Sequence, residues 1–122
     1  MPRHLISFHE GALSLIPAAD FPDVGQAAAA AMLEAIDAGV FVFCGALLEP
    51  PTTTVVATDA MIPQGPSPAH KDSIGGITVI GVPSRDEAHR WASKIAAGCR
   101  CAQDVREFMP LPPAVEARIR QH

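Results

Sequence analysis

Twice along the 122-residue chain a helix-period stripe lies between apolar, β-prone runs, and this doubled order leaves few folds open. The first unit opens on the run 5–8 (LISF), apolar on both faces. The stretch 11–25, rich in alanine and proline, reads as a loop in which Asp23 caps the helix that follows. That helix is expected over 26–38, where Ala28, Ala31, Met32, Ala35 and Ile36 share one stripe, and Gly39 ends it. The continuous apolar run 40–48 predicts a buried strand, with Gly45 marking a bulge or a close approach. Glu49, Pro50 and Pro51 then turn the chain into a less apolar β-prone run, 52–58, expected near a sheet edge.

The second unit repeats the order. A strand over 77–82 stops at Pro83, and Ser84 with Glu87 forms the S-x-x-E capping box that opens a helix. Ala88, Trp91, Ala92 and Ile95 make its apolar stripe, with Trp91 as a core anchor, while Arg85, Asp86, Arg90 and Lys94 face water. Gly98 stands where a helix-ending glycine is expected. A strand of mixed faces over 102–109 follows, then prolines, then a short tail helix through Val115 and Ile119 with Arg118 and Arg120 exposed. Two strand–helix–strand halves of this kind predict an α+β, ferredoxin-like sandwich, βαββ(β)αβ, in a single domain over 1–122. Both helices would cover one face of the sheet, leaving Val, Ile and Phe side chains of the other in water, a patch larger than monomers carry. The pattern therefore predicts a homodimer, two sheets closing a dimeric α/β barrel across an interface above roughly 1,600 Å².

Composition narrows the partners. With 48% hydrophobic and 18% charged residues the chain can build a core without staples. A net charge of −4 offers phosphates no basic footprint, so nucleic acid is excluded as a partner class. Cys44, Cys99 and Cys101 have no disulfide-framework spacing and predict reduced thiols and a cytoplasmic location. The Cys99-Arg100-Cys101 pair has no second cysteine pair to complete a metal site. The 5–8 run is too short for a leader or a membrane span. What is left is a second copy of the chain and a small molecule.

The chemistry concentrates in 64–76, QGPSPAHKDSIGG, where glycines and prolines shape the backbone beside titratable groups. His70 titrates near neutrality and Asp72 can fix its tautomer, which makes them the candidate catalytic pair. Gly65, Pro66, Ser67 and Lys71 are the candidate ligand-binding residues of the same segment, and His9, at the end of the first strand, is expected to reach the same cavity. No elbow surrounds Ser67, and His4, His9, His70, His89 and His122 show no metal-ligand spacing, so neither a nucleophilic serine nor a metal is expected. Nothing in the pattern calls for a bound cofactor. Arg106 and Glu107 read as a surface or dimer-interface pair.

Gly65-Pro66, Lys71-Asp72, Gly75-Gly76 before a strand, and Asp86-Glu87-Ala88 leading to Trp91-Ala92 together resemble the YCII-related proteins of the DGPF type. Ala38-Gly39-Val40, Gly45-Ala46-Leu47-Leu48 and Pro50-Pro51 look similar to that family's approach to its signature, so the likeness runs over about 26–109. The resemblance implies a dimeric α/β barrel with a pocket beside the signature segment and, in the YciI branch, a His-Asp pair. Gln64, Ser67 and Ala69 stand where the signature has aspartate, phenylalanine and a following glutamate, and the first helix carries alanine where that branch has histidine. The leading expectation is thus a homodimer that binds a small organic molecule beside 64–76. A cofactor-free hydrolase, isomerase or oxygenase is one alternative. A regulatory module linked to transcription is another, because the resemblance includes members joined to sigma factors.

Overall fold

The computed structural model describes residues 1–48, 54, 56–60 and 73–121. Four strands and three helices appear in the order β1 (Arg3–His9), α1 (Phe21–Asp37), β2 (Phe41–Ala46), β3 (Ile74–Gly81), α2 (Arg85–Cys99), β4 (Asp104–Glu107) and α3 (Pro113–Arg120), with 3-10 turns at Glu10–Leu15 and Ala18–Asp20. The strands form one antiparallel sheet in the order β2-β3-β1-β4, a mixed α+β arrangement compatible with the ferredoxin-like fold.

Strand alternation separates the two faces. Ile6 pairs with Thr78, and His4 with Ile80, on the side covered by α1 and α2. There Ile6, Ile80 and Val82 join Ala31 and Ala35 of α1 and Ala88, Trp91, Ala92, Ile95 and Cys99 of α2 in one buried cluster. Small side chains on facing helices let the two axes approach closely. Gly98 lies at that contact, inside α2: a Cβ there would sit 2.9 Å from the Ala27 carbonyl oxygen. The residue that leaves the helix is Arg100, at φ 55°, whose N–H donates to the Ala96 carbonyl. Its guanidinium reaches Asp20 at 2.9 Å and ties the end of α2 to the start of α1. Gly98 is therefore a packing glycine, not the helix terminator the local pattern suggested.

Other expectations are corrected in the same way. The first helix begins at Phe21, five residues before the expected Gln26, because Pro22 suits the first turn, where its missing N–H is no loss. Asp23 lies within that turn instead of capping it. Val24, Ala31 and Ala35 are buried, whereas Ile36 is exposed. The strand expected over 40–48 is shorter and lies at a sheet edge, not in the interior, with Phe43 58% exposed. A register shift between Phe41 and Phe43 keeps Phe41 against the core. In the 52–58 run, Thr54, Val56, Ala57 and Thr58 form no strand, since β-propensity without a pairing partner is weak, while Thr52, Thr53 and Val55 lie outside the described residues. β3 starts at Ile74 and takes in the Gly75-Gly76 pair, and β4 covers only Asp104–Glu107, where β1 offers it partners. The Ser84 cap is present, its Oγ accepting from the Glu87 N–H at 3.2 Å. The Glu49-Pro50-Pro51 turn lies outside the described residues.

Candidate functional site

β1 and β3 end together at the edge of the helix layer, and a cavity of about 440 Å³ forms there. Phe8 is the last side chain of β1 on the helix side, opposite Gly76. Its ring lies so close to β3 that a Cβ on Gly76 would stand 2.7 Å from Cε1 and Cζ, and one on Gly75 would stand 2.8 Å from Cε2. The glycine pair thus makes room for an aromatic ring, which a side chain at either position would displace.

Backbone hydrogen bonds hold the surrounding pieces. The Glu10 N–H donates to the Ser73 carbonyl at 3.1 Å and the Leu47 N–H donates to the Gly75 carbonyl at 2.9 Å. The 3-10 turn after β1 and the end of β2 are thereby gathered at the start of β3, and Phe21 at the start of α1 joins them in the cavity wall. Phe8, Leu13, Phe21, Leu47, Leu48 and Ile74 supply apolar walls, and Glu10 and Ser14 are the polar side chains. The Ser14 hydroxyl already donates to the Gly11 carbonyl at 2.6 Å, leaving its lone pairs to accept. The cavity is within the size range of small-molecule sites, with the apolar walls and few polar groups such sites carry. It contacts both ends of the long connection between β2 and β3, at Leu48 and Ile74.

His70, Asp72, Gly65, Pro66, Ser67 and Lys71 lie outside the described residues, as do Gln64 and Ala69. His9 lies at the same end of the sheet as the cavity, but its neighbour Phe8 is the residue that lines it. The His9 Nε2 is 3.4 Å from the Asp104 Oδ2 of β4, and the two side chains are 61% and 64% exposed. A histidine held by a carboxylate has the makings of a general base, though an exposed pair of this kind adds little to stability. Arg106 and Glu107 point to opposite faces: Arg106 pairs with Leu5 on the open face and Glu107 with His4 on the helix side.

A second, open groove of about 400 Å³ runs between α2 and β4, lined by His89, Ala92, Ser93, Ala96, Gln103, Asp104 and Val105. Short side chains and solvent-facing polar groups give it less to grip an organic molecule with. Among the described residues no group of three His, Cys, Asp or Glu side chains is placed to hold a metal ion. All three cysteines are free. Burial, reinforced by the neighbouring Cys101, pushes the Cys99 thiol above its ordinary value; burial also raises Cys101, against a hydrogen bond from Gln103 that lowers it. These are thiols held neutral, the opposite of activated nucleophiles.

The walls at Phe8, Leu13 and Phe21 were not marked as site residues by sequence pattern, since each reads as an ordinary apolar position. The one usable signal was the Gly75-Gly76 pair, whose small size implies a close neighbour. No helix among the described residues is long and apolar enough to cross a membrane. No family model matches the chain, and no curated protein matches it.

Proposed function

We propose that this chain is a small-molecule-binding protein that takes an organic ligand, apolar over most of its surface, into the cavity at the end of β1 and β3, and that it works as a homodimer of the α/β-barrel, YCII-related kind. The observation that carries the binding reading is the cavity itself: about 440 Å³, walled by Phe8, Leu13, Phe21, Leu47 and Ile74, with Glu10 and Ser14 as the groups that orient what enters. The dimer reading is supported by the face of the sheet opposite the helices, where Leu5, Ile77, Val79 and Phe43 share one side by register. Three free thiols support the cytoplasmic setting included in this reading.

The test is a thermal-shift screen of small apolar alcohols, amines and carboxylic acids against the chain and a Leu13→Trp variant that fills the cavity. Ligands that raise the melting temperature of the parent and not of the variant support the reading, because a ligand at 100 times its dissociation constant stabilises the folded state by about 2.7 kcal/mol. Equal shifts in both proteins, or none in either, refute it.

A second reading rests on the His9–Asp104 pair, an exposed pair at the end of β1 in which Asp104 lies beside Ser7 on the open face, apart from the cavity walls. It makes the protein a cofactor-free enzyme acting by proton abstraction. Unchanged turnover of a bound ligand by His9→Ala removes this reading and leaves the binding one in place.

A further inference from the structure

β4 is one margin of the sheet, and two backbone contacts fix which of its peptide groups face outward. The Phe108 N–H donates to the Arg3 carbonyl at 2.8 Å, and the Val82 N–H donates to the Pro2 carbonyl at 3.1 Å. In an antiparallel ladder the residues that exchange hydrogen bonds with one neighbour alternate along the strand. Arg3, Leu5 and Ser7 of β1 therefore bond to β4, and His4 and Ile6 to β3. On β4 the N–H and C=O groups of Asp104 and Arg106 turn inward to β1, while those of Val105 and Glu107 turn out from the sheet. Among the described residues no backbone hydrogen bond from a turn or loop reaches Val105 or Glu107. Free edge groups of this kind are a template for one more strand.

Charges on an edge strand usually repel an added strand, but those of β4 select one. A second β4 brought up antiparallel can use the free groups only where an outward residue stands opposite another outward residue. Two-fold pairings centred on Asp104, Arg106 or Glu107 each set that charge directly opposite its own copy, which is destabilising. Centred on Val105, the pairing sets Asp104 opposite the partner's Arg106, and Arg106 opposite the partner's Asp104. Both side chains lie on the open face, so the opposite charges meet across the seam. The His9 contact at 3.4 Å does not block this, because a carboxylate has room for more than one donor. On the helix side, half-buried Val105 comes against its own copy. The groove above it is walled by Ala92, Ser93 and Ala96, side chains short enough to let a second strand and its helix come near.

We propose that β4 pairs antiparallel with β4 of a second copy, centred on Val105, and so joins two four-stranded sheets into one. Both helix layers then lie on one side of the joined sheet and both open faces on the other. The seam leaves the open faces bare, so it is a second interface, separate from the face-to-face homodimer proposed above and independent of it.

The experiment is sedimentation equilibrium on the full chain and its variants, with circular dichroism to establish that each folds. Val105→Pro removes an outward N–H that no bond within the sheet uses, and it is expected to weaken association at the seam at least about 100-fold. Because a two-fold seam contains each charge pair twice, Asp104→Arg and Arg106→Asp are each expected to weaken it at least about 10-fold. Asp104→Arg/Arg106→Asp restores opposite charges and is expected to return association to within about 3-fold of the parent. A Val105→Pro chain that associates as tightly as the parent overturns the seam and leaves the face-to-face homodimer standing. A double variant as weak as the single ones overturns the register and the proposal with it. A parent that stays monomeric at every concentration overturns both interfaces.

Discussion

Adding one methyl group at Gly98 and one at Gly25 should move stability in opposite directions, although both glycines lie inside helices. At Gly25, exposed in the second turn of α1, a Cβ meets nothing within 4 Å. Replacing glycine by alanine at such a site removes backbone freedom from the unfolded chain and stabilises by about 0.5–1 kcal/mol. Gly98 gains the same propensity term, but its Cβ would lie 2.9 Å from the Ala27 oxygen, 3.1 Å from the Ala27 carbonyl carbon and 3.2 Å from the Ala28 nitrogen. These are backbone atoms of α1, so relief requires the helices to separate by a few tenths of an ångström, loosening Ala31, Ala35, Ala92 and Ile95 between them. Overpacking of that kind costs about 1–3 kcal/mol. Subtracting the propensity gain leaves Gly98→Ala destabilised by up to about 2.5 kcal/mol. Urea unfolding followed by circular dichroism measures both variants on one scale. If Gly98→Ala proves as stabilising as Gly25→Ala, α1 and α2 do not meet as closely as the packing requires, and the account of the helix layer is wrong.

Gly76→Ala forces the Phe8 ring off β3 and should cost about 1–3 kcal/mol while abolishing ligand-induced thermal shifts, both read from one melting series. His4 is 2% exposed, and among the described residues neither ring nitrogen has a hydrogen-bond partner, the Glu107 carboxylate lying 3.8 Å away. His4→Leu should therefore be neutral or raise stability by up to about 2 kcal/mol, and a loss of that size in urea would show that the imidazole is paired in solution. The Cys99 thiol, raised above its ordinary 9.0, is neutral in the fold while the unfolded chain ionises first. Stability should be fully present below about pH 9 and fall as pH rises through the folded value, with Cys99→Ala flattening that decline in melts at pH 8–11.

How much was legible in the sequence depended on the range of the force involved. The Ser84 cap is a contact between residues three apart, so the pattern alone reveals it. The α2 stripe of Ala88, Trp91, Ala92 and Ile95 is likewise periodic and is buried as expected. Gly98 was misread because a glycine near a helix end looks the same whether it breaks the helix or admits a neighbour, and only the position of α1 tells them apart. β2 was misread as buried because apolar content records what a strand avoids, not whether it joins a sheet at its edge. Its exposed Phe43 lies on the open face beside Val79. The cavity was legible only in location: the Gly75-Gly76 pair marked the place, while Phe8, Leu13 and Phe21 converge on it from separate elements that no spacing links.

The most direct test of the central claim, that the β1–β3 end of the sheet holds a small organic ligand, is a methyl-resolved NMR titration with a compound from the thermal-shift screen. The methyl signals of Leu13, Leu47, Leu48 and Ile74 should move together with one dissociation constant, while those of Ile95 and Val82 in the core stay in place. Shifts that appear instead at Ala92, Ala96 and Val105, in the groove between α2 and β4, would contradict it.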